Sequence, residues 1–587
     1  MMWRALLLAG IATMTLGSPA AVKAADEDFQ RAFGDDFFDR YWELSPGVAI
    51  SYGFYKYADR LIVPDDAARK TSLAQLDRWL AQLARIDPAD LSPGVRADRV
   101  MLENQLRGER WALTDLRAWQ WDPSIYNVAE PFALLLSLDY APLDERLRAF
   151  SKRLTNVPAY YAAAKASVAG PTREHTQLAI EQNRGALEVF GPELARTLQS
   201  SSLTPAERET FMQRLAAART AIEGYGAWLE SLEKQLASGA APARSFRLGR
   251  ELYAPKFEYD IQSGGTAEAL YERAVAERAR LIERMSLLSD LLWPKYFPND
   301  PVPADELVKI GQVIAKLSEQ HVPREQLVAT VKEQLPELER WVREHDLLEL
   351  DASKPLMVRE TPLHKRGIAG ASIDAPGPYD PDAPTYYNVT PLDDLSADRA
   401  ESWLREYNQW MLPVLNIHEA VPGHYVQLVY ANRSPSRIKS IFGNGAMIEG
   451  WAVYAERLML ESGYGDDKAE SWLIYSKWNL RSVTNTILDY GVHVRGMTED
   501  EAMDLLTRQA FQTEQEAREK WRRVTLTSVQ LTSYFSGYSA IVDLREQLKR
   551  EHAGSFDLKR FHEQFLSYGN APVAVIRELM WPRASSR

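Results

Sequence analysis

Asn416-Ile417-His418-Glu419-Ala420-Val421-Pro422-Gly423-His424-Tyr425-Val426-Gln427 is followed further on by Ile448-Glu449-Gly450-Trp451-Ala452-Val453-Tyr454-Ala455-Glu456. Two imidazoles and several carboxylates gather here in a chain with only nine histidines among 587 residues. A mononuclear zinc hydrolase needs such a set: nitrogen or carboxylate ligands, a coordination position left for water, and a base for that water's proton. His418, His424 and Glu449 can supply the ligands. Glu419, beside the first histidine, stands where a zincin helix places its general base.

The spacing departs from the usual zincin pattern, in which the second histidine follows four residues after the first, one turn along the same helical face. Pro422 occupies that fourth place. His424 comes six residues after His418, roughly 240° around an ideal helix of 3.6 residues per turn. A regular helix would turn the rings apart, so a distorted one is expected. Pro422 supplies the cause, lacking an amide hydrogen and clashing with the His418 carbonyl, while Gly423 tolerates unusual dihedrals. Together they convert six residues into something like one widened turn. Glu456 lies two turns beyond Glu449 on nearly the same face, which suits it to orienting an imidazole from behind. Ala452 and Ala455 are small enough to let this helix approach another closely. Trp410, Leu412, Val414, Leu415 and Ile417 form an apolar approach to the first histidine.

Hydrophobic content of 45% and charged content of 26% are those of a folded globular chain. A formal charge of −12 argues against nucleic acid as a partner, because phosphate binders present a basic field. Arg4, the apolar run Ala5 to Leu16, and Val22-Lys23-Ala24 before Asp26-Glu27-Asp28 form the pattern of a secretory signal peptide over residues 1–24, cleaved near Ala24. That run is about a dozen residues, against the roughly 20 that a membrane-spanning helix needs. No stable membrane insertion is expected, and the mature chain is read as exported, to the periplasm or the medium. The absence of cysteine removes disulfides, thiolate ligands, a thiol nucleophile and an acylation site. Oligomeric state stays open.

Residues 25–236 read as an N-terminal helical lobe, with apolar residues at helical spacing in Leu73, Leu76, Leu80 and Leu83 and in Met212, Leu215, Ala216 and Ile222. Breaks fall at Asp87-Pro88, Ser92-Pro93-Gly94, Gly170-Pro171 and Gly191-Pro192. Thr204-Pro205 with Glu207 marks a capped helix start. Ser238-Gly239-Ala240-Ala241-Pro242 is the linker to residues 246–587, which carry the His-Glu segment, and the two lobes form one continuous architecture. Composition shifts to turns and strands between Lys354 and Leu395, where Thr385-Tyr386-Tyr387-Asn388-Val389-Thr390 suits a strand. A small sheet beside the metal helix is expected. An edge strand there would pair with an extended peptide backbone; a structural hairpin is the alternative.

His418-Glu419-Ala420-Val421-Pro422-Gly423-His424 with Gln427, the Glu449 to Glu456 run, and Gly569-Asn570-Ala571-Pro572 resemble the DUF885 family of bacterial proteins, often exported. The resemblance runs from Arg247-Leu248-Gly249-Arg250-Glu251 to Trp581 and, more loosely, over the N-terminal helices. This family is grouped with zincin-like peptidases of the gluzincin kind, which implies one Zn2+ per chain held by His418, His424 and Glu449, with Glu419 as base. Another divalent metal, manganese, cobalt or iron, would suit a similar ligand set. Gluzincins of the angiotensin-converting-enzyme and thimet-oligopeptidase kind are mainly α and cut short peptides. The resemblance therefore implies a two-lobed helical zincin-like fold, a small β element near the active site, a deep channel, and a zinc metallopeptidase acting on a short peptide or small amide.

A tetrahedral oxyanion needs donors besides the metal, and His493, Tyr534 and Tyr538 are the candidates. Gln530-Leu531-Thr532-Ser533-Tyr534-Phe535-Ser536-Gly537-Tyr538 is similar to the tyrosine-rich helix of thimet-oligopeptidase-like enzymes, which makes Tyr534 the first choice. His493 follows Leu488-Asp489-Tyr490-Gly491, resembling the family's Asp-x-Gly-x-His pattern; a buried structural histidine is the alternative. Arg481, Arg495 and Arg545 are candidates for bidentate contact with a substrate carboxylate. No Gly-x-Ser-x-Gly elbow, P-loop or dinucleotide fingerprint is present. Two other functions fit the same residues: a metal-dependent amidase or esterase acting on a cell-wall fragment or small amide, and a non-catalytic exported binding protein whose metal is structural or absent.

Overall fold

Helix starts follow local chemistry. The Thr204 hydroxyl accepts the Glu207 amide, and the Glu207 carboxylate takes the Thr204 amide at 2.8 Å, so the two residues cap α1 (Pro205–Ser238) reciprocally. Gly239, at φ +73°, closes that helix, and no residue with a Cβ adopts this conformation as readily. Pro93 and Pro192 likewise sit in first turns, where the missing amide hydrogen costs nothing. The computed structural model describes residues 19–361 and 370–581, so most of the signal-like segment lies outside the described residues; Val22-Lys23-Ala24 falls within the helix Pro19–Ala32. The fold is mainly helical with one small sheet. No helix among the described residues is long and apolar enough to cross a membrane.

Four apolar cores form among the described residues, and two of them are large. One gathers side chains from Ile50 to Leu229, with Phe132, Phe150 and Phe190 packed edge to face. The larger spans Phe29 to Ile576, and the first helices contribute Phe37, Trp42 and Leu102 to it. The N-terminal helices therefore buttress the C-terminal half directly, and the turn after Ser238 does not separate the cores.

The site elements, in chain order, are α2 (Leu412–Glu419), α3 (His424–Asn432), α4 (Gly445–Glu461), α5 (Ala469–Tyr490), α6 (Glu514–Leu526) and α7 (Ser533–Glu551). Of these α4 is the hub: Trp451, Ala452, Val453, Tyr454, Ala455 and Glu456 are all fully buried, the signature of a helix enclosed on every side. It crosses α7 backbone to backbone. A Cβ on Gly450 would lie 2.4 Å from the Gly537 Cα, and one on Gly537 would lie 1.6 Å from the Ala446 carbonyl oxygen. The close approach expected of this helix is real, but two glycines carry it rather than the alanines.

The sheet has the order β1 (Leu356–Glu360), β3 (Thr385–Val389), β2 (Ala371–Asp374), with β1 parallel and β2 antiparallel to β3. The strand expected at Thr385 to Thr390 is therefore the central one. Both of its edges are taken, which overturns the expectation that it pairs with a peptide backbone. Its role is to hold: the buried Tyr387 hydroxyl donates to Asn416 Oδ1 at 2.8 Å, fastening the sheet to α2 two residues before His418.

Behind α4, His562 is wholly buried in a satisfied neutral form. Its Nδ1 donates to the Leu347 carbonyl at 2.7 Å, and its Nε2 accepts the Tyr454 hydroxyl at 2.8 Å. Burial lowers this imidazole from 6.5 to about 4, and the Arg545 guanidinium adds to the shift. A histidine depressed on folding stabilises fully above its unfolded pKa and loses that contribution as pH falls through 6.5 toward 4. The shift corresponds to about 3 kcal/mol. Calorimetric melting from pH 7 to pH 4 should therefore show a steeper loss of stability in the wild type than in His562→Gln; parallel curves would contradict this account of the core.

Candidate metal centre

His424 comes six positions after His418, and the chain spends four of the five residues between them, Ala420 to Gly423, on a break. Helix α2 stops at Glu419, the Val421–Pro422 peptide is cis, and α3 restarts at His424 itself. The expected single distorted helix is thus corrected to two helices joined at a corner. Proline ends the first because it has no amide to donate. Gly423 then folds its amide back onto the Ile417 carbonyl at 2.9 Å. A Cβ at Gly423 would lie 1.9 Å from the His418 oxygen and 2.3 Å from that of Ile417, so only glycine fits. Trp451 of α4 donates its indole N–H to the Pro422 carbonyl at 2.9 Å, pinning the corner to the hub.

This corner brings both Nε2 atoms onto one carboxylate. Glu449 Oε2 lies 3.8 Å from His418 Nε2 and 3.5 Å from His424 Nε2, and the ligand atoms of all three residues fall within 4.8 Å of one another. The rings stand nearly perpendicular, at 86°. Behind His418, Nδ1 contacts Glu456 Oε1 at 2.6 Å, and the same oxygen accepts the Trp478 indole N–H at 3.0 Å. This buried carboxylate fixes the ring so that Nε2 faces the cluster, the arrangement by which metal-binding histidines are oriented. Burial alone would depress His418, but the Glu456 hydrogen bond and the charges of Glu456, Glu419 and Glu449 outweigh it and raise the imidazole to about 9. Burial pushes Glu419 above the usual carboxylate range, against the pull of His424 and His418. Two nitrogens and one carboxylate oxygen, converging beneath three acidic groups, are a donor set suited to a divalent cation.

The C-terminal Gly569-Asn570-Ala571-Pro572 segment ties the halves of the cluster together. Asn570 accepts from Gln427 of α3, and its carbonyl takes the Asn444 amide at 2.9 Å. Asn444 in turn caps α4 through the Met447 amide at 2.9 Å. One short segment thereby positions both the second histidine and the glutamate.

Tyr534 stands one turn before the Gly537 crossing, where α7 meets Gly450, the neighbour of Glu449 in sequence; burial, then the Glu449 charge, raise its hydroxyl above the usual range. Arg523 Nη2 donates to that hydroxyl at 3.4 Å and to Gln530 Oε1 at 2.7 Å. Arg523 escaped the sequence reading. The one available signal was its place with Glu516 and Lys520 at i, i+4, i+7 on α6.

His493 is elsewhere. Its Nε2 meets the Val524 and Thr527 carbonyls at 2.9 and 2.8 Å, and Nδ1 accepts the Leu248 amide at 3.4 Å, so no ring nitrogen is left for an oxyanion. Asp489, of the same Asp-x-Gly-x-His pattern, accepts the Val529 and Leu531 amides at 2.9 and 3.3 Å. Both residues secure the turn between α6 and α7, in which buried Val529 is held at φ +70°, a strained value for a β-branched residue. The pattern builds the turn that aims Arg523, Gln530 and Tyr534. The arginines expected to bind substrate are also committed: Arg545 to Glu461 at 2.7 Å, Arg481 to Glu516 at 2.8 Å, and Arg495 near Glu272 at 3.7 Å. Tyr538 accepts from Arg457 at 3.0 Å, within the Arg545–Glu461 group rather than at the cluster.

Because the corner depends on a missing Cβ, Gly423→Ala should lose metal binding and about 3 kcal/mol of stability. Gly445→Ala, where a Cβ meets nothing within 4 Å, should change neither. Metal content and melting of the pair check this; normal metal content in Gly423→Ala would contradict it.

The model of a family described as bacterial protein of unknown function, DUF885, matches residues 46–580, extending further into the N-terminal helices than the motifs alone. A solved protein of unknown function from Shewanella oneidensis, described as a candidate lipoprotein, is 49% identical; the alignment covers 94% of this chain and 99% of that one, with a TM-score of 0.86. A second, also described as a candidate lipoprotein, from Colwellia psychrerythraea, shares 17% identity over 95% of this chain and 98% of its own at a TM-score of 0.75, a likeness of fold alone. No curated protein matches the chain. With its residues matched from 46 to 580, this chain belongs to the DUF885 family.

Proposed function

We propose that the protein is an exported zinc-dependent peptidase that hydrolyses short peptides, with Glu419 as general base. The observation that carries this reading is the convergence of His418 Nε2 and His424 Nε2 on Glu449 Oε2, with Glu419 next to the first ligand and Glu456 behind it. His418, His424 and Glu449 would hold the ion. When bound, zinc supplies a Lewis acid that polarises the scissile carbonyl and acidifies a water.

The chain's own residues do the rest. The Glu419 carboxylate takes a proton from the attacking water as the new C–O bond forms, and returns it to the nitrogen as the C–N bond breaks. Its raised pKa brings it closer to neutral pH, where a base of this kind is most effective. The Tyr534 hydroxyl stays protonated and donates to the developing oxyanion; Arg523, donating to the same oxygen, leaves that proton free to point into the site. Glu456 and Trp478 keep His418 in the tautomer that presents Nε2. A two-lobed arrangement, with residues 25–236 and 246–587 on either side of a deep channel, belongs to this reading. So does export, supported by the signal-like N-terminus and by relatives described as candidate lipoproteins.

Glu419→Gln should keep its zinc while losing about 100- to 10,000-fold in kcat on short peptides. Metal analysis beside a panel of peptides, acylated amino acids and muropeptides tests it. Undiminished turnover in the variant would reject the base assignment, and wild-type activity confined to non-peptide amides would replace peptidase with amidase.

A further inference from the structure

Helix α5 carries a side-chain amide that the rest of the fold leaves unanswered. Trp478, Ser482, Asn485 and Asp489 follow one another at intervals of four, three and four residues, which at 3.6 residues per turn keeps them within about 60° of one face. Contacts fix both ends of that face. Trp478 donates to Glu456 Oε1 at 3.0 Å, directly behind His418. Asp489 accepts the Val529 and Leu531 amides of the turn that leads into Tyr534. Asn485 therefore faces the space between the metal cluster and that turn, about 10 Å along the helix from Trp478.

Asn485 is only 4% exposed, and neither end of its amide has a hydrogen-bond partner among the described residues. Its Oδ1 is wholly buried, whereas Nδ2 keeps part of the remaining exposure. The hydroxyl of Ser482, a residue only 6% exposed, is likewise unbonded and reachable. An opening thus follows this face inward, past Trp478 and Ser482 to Asn485. Asn479, Thr484 and Thr486 are also buried with an unpartnered atom, but each lies about 100° around the helix from Trp478 or Asn485.

A buried polar group without a partner is destabilising, and leucine, of similar size, would fill the place without that cost. The nearest charged group on the helix, Arg481 one turn before, is spent on Glu516. What Asn485 offers the opening is therefore one donor and one acceptor without charge, the complement of the C=O and N–H of a peptide group.

We propose that Asn485 is a substrate-binding residue that holds a peptide group of the bound chain, a few residues from the bond that is cut. An extended peptide advances about 3.4 Å per residue, so the distance from Trp478 to Asn485 is spanned by about three residues. Main-chain recognition of this kind accepts many side chains. The identity of the ligand rests on the peptidase reading; the unpartnered amide does not.

The test uses the full mature chain carrying Glu419→Gln, loaded with zinc. Calorimetric binding is compared for tetra-alanine and for three analogues in which one linkage in turn is an ester, which removes a single N–H. At one linkage the ester should weaken binding about fivefold or more. That penalty should vanish in Asn485→Leu and in Asn485→Ala, and both variants should bind tetra-alanine more weakly than the parent by a similar factor. Asn485→Leu should melt at or above the parent temperature, because it removes a buried unpartnered group; Asn485→Ala gives the same binding readout without added bulk. Unchanged affinity for tetra-alanine in the variants, ester penalties that survive at every linkage, or no binding of any probe would overturn the assignment. Cleavage of tetra-alanine by otherwise wild-type chains with equal kcat/KM whether residue 485 is asparagine or alanine would leave the peptidase reading intact and sink this one. Tetra-alanine held through Asn485 yet never cut by the wild type would do the reverse.

Discussion

The absence of a side chain at Gly423 is the constraint on which the centre depends. Helix α2 must end and α3 begin within four residues, and the Gly423 amide must reach back to Ile417 through space that a Cβ would fill. Only that fold-back turns two imidazoles, which a regular helix would point apart, toward one carboxylate. Proline stops the first helix, and the Trp451 indole holds the corner against α4.

The remaining architecture brings other groups to that corner. Gly450 and Gly537 let α4 and α7 touch along their backbones, which brings the turn of α7 that carries Tyr534 to the end of α4 that carries Glu449. Asp489 and His493 bind the main chain between α6 and α7, including strained Val529, and so govern where Arg523 and Gln530 point. Asn570 joins α3 to the start of α4, and Tyr387 joins the sheet to α2. Several of the chain's most recognisable motifs therefore act at one remove, by shaping backbone rather than by offering side chains to a ligand.

The helical character, the cap at Thr204 and the strand at Thr385 to Val389 were legible because each is written in neighbouring residues. So was the grouping of His418, His424 and Glu449, since few histidines were available and the chemistry needs that set. Glu456 was legible by its spacing from Glu449. The sequence could not say that β3 lies between two other strands, that His493 spends both nitrogens on the main chain, or that Arg481 and Arg545 are matched by carboxylates far along the chain. Those facts arise from long-range packing, and a local pattern carries no record of partners such as Glu406 for Lys477. Arg523 was missed for the same reason. On a helix as charged as α6, only the tertiary neighbours separate a solvated cation from a buried one.

The central claim is that His418 and His424 bind a catalytic metal ion. Its most direct measurement is the metal content of the purified mature protein by mass spectrometry, beside the His418→Ala, His424→Ala double variant. The account predicts one zinc per chain in the wild type and none in the folded variant. A wild type that takes up no metal on reconstitution, or a variant that keeps it, would contradict the account.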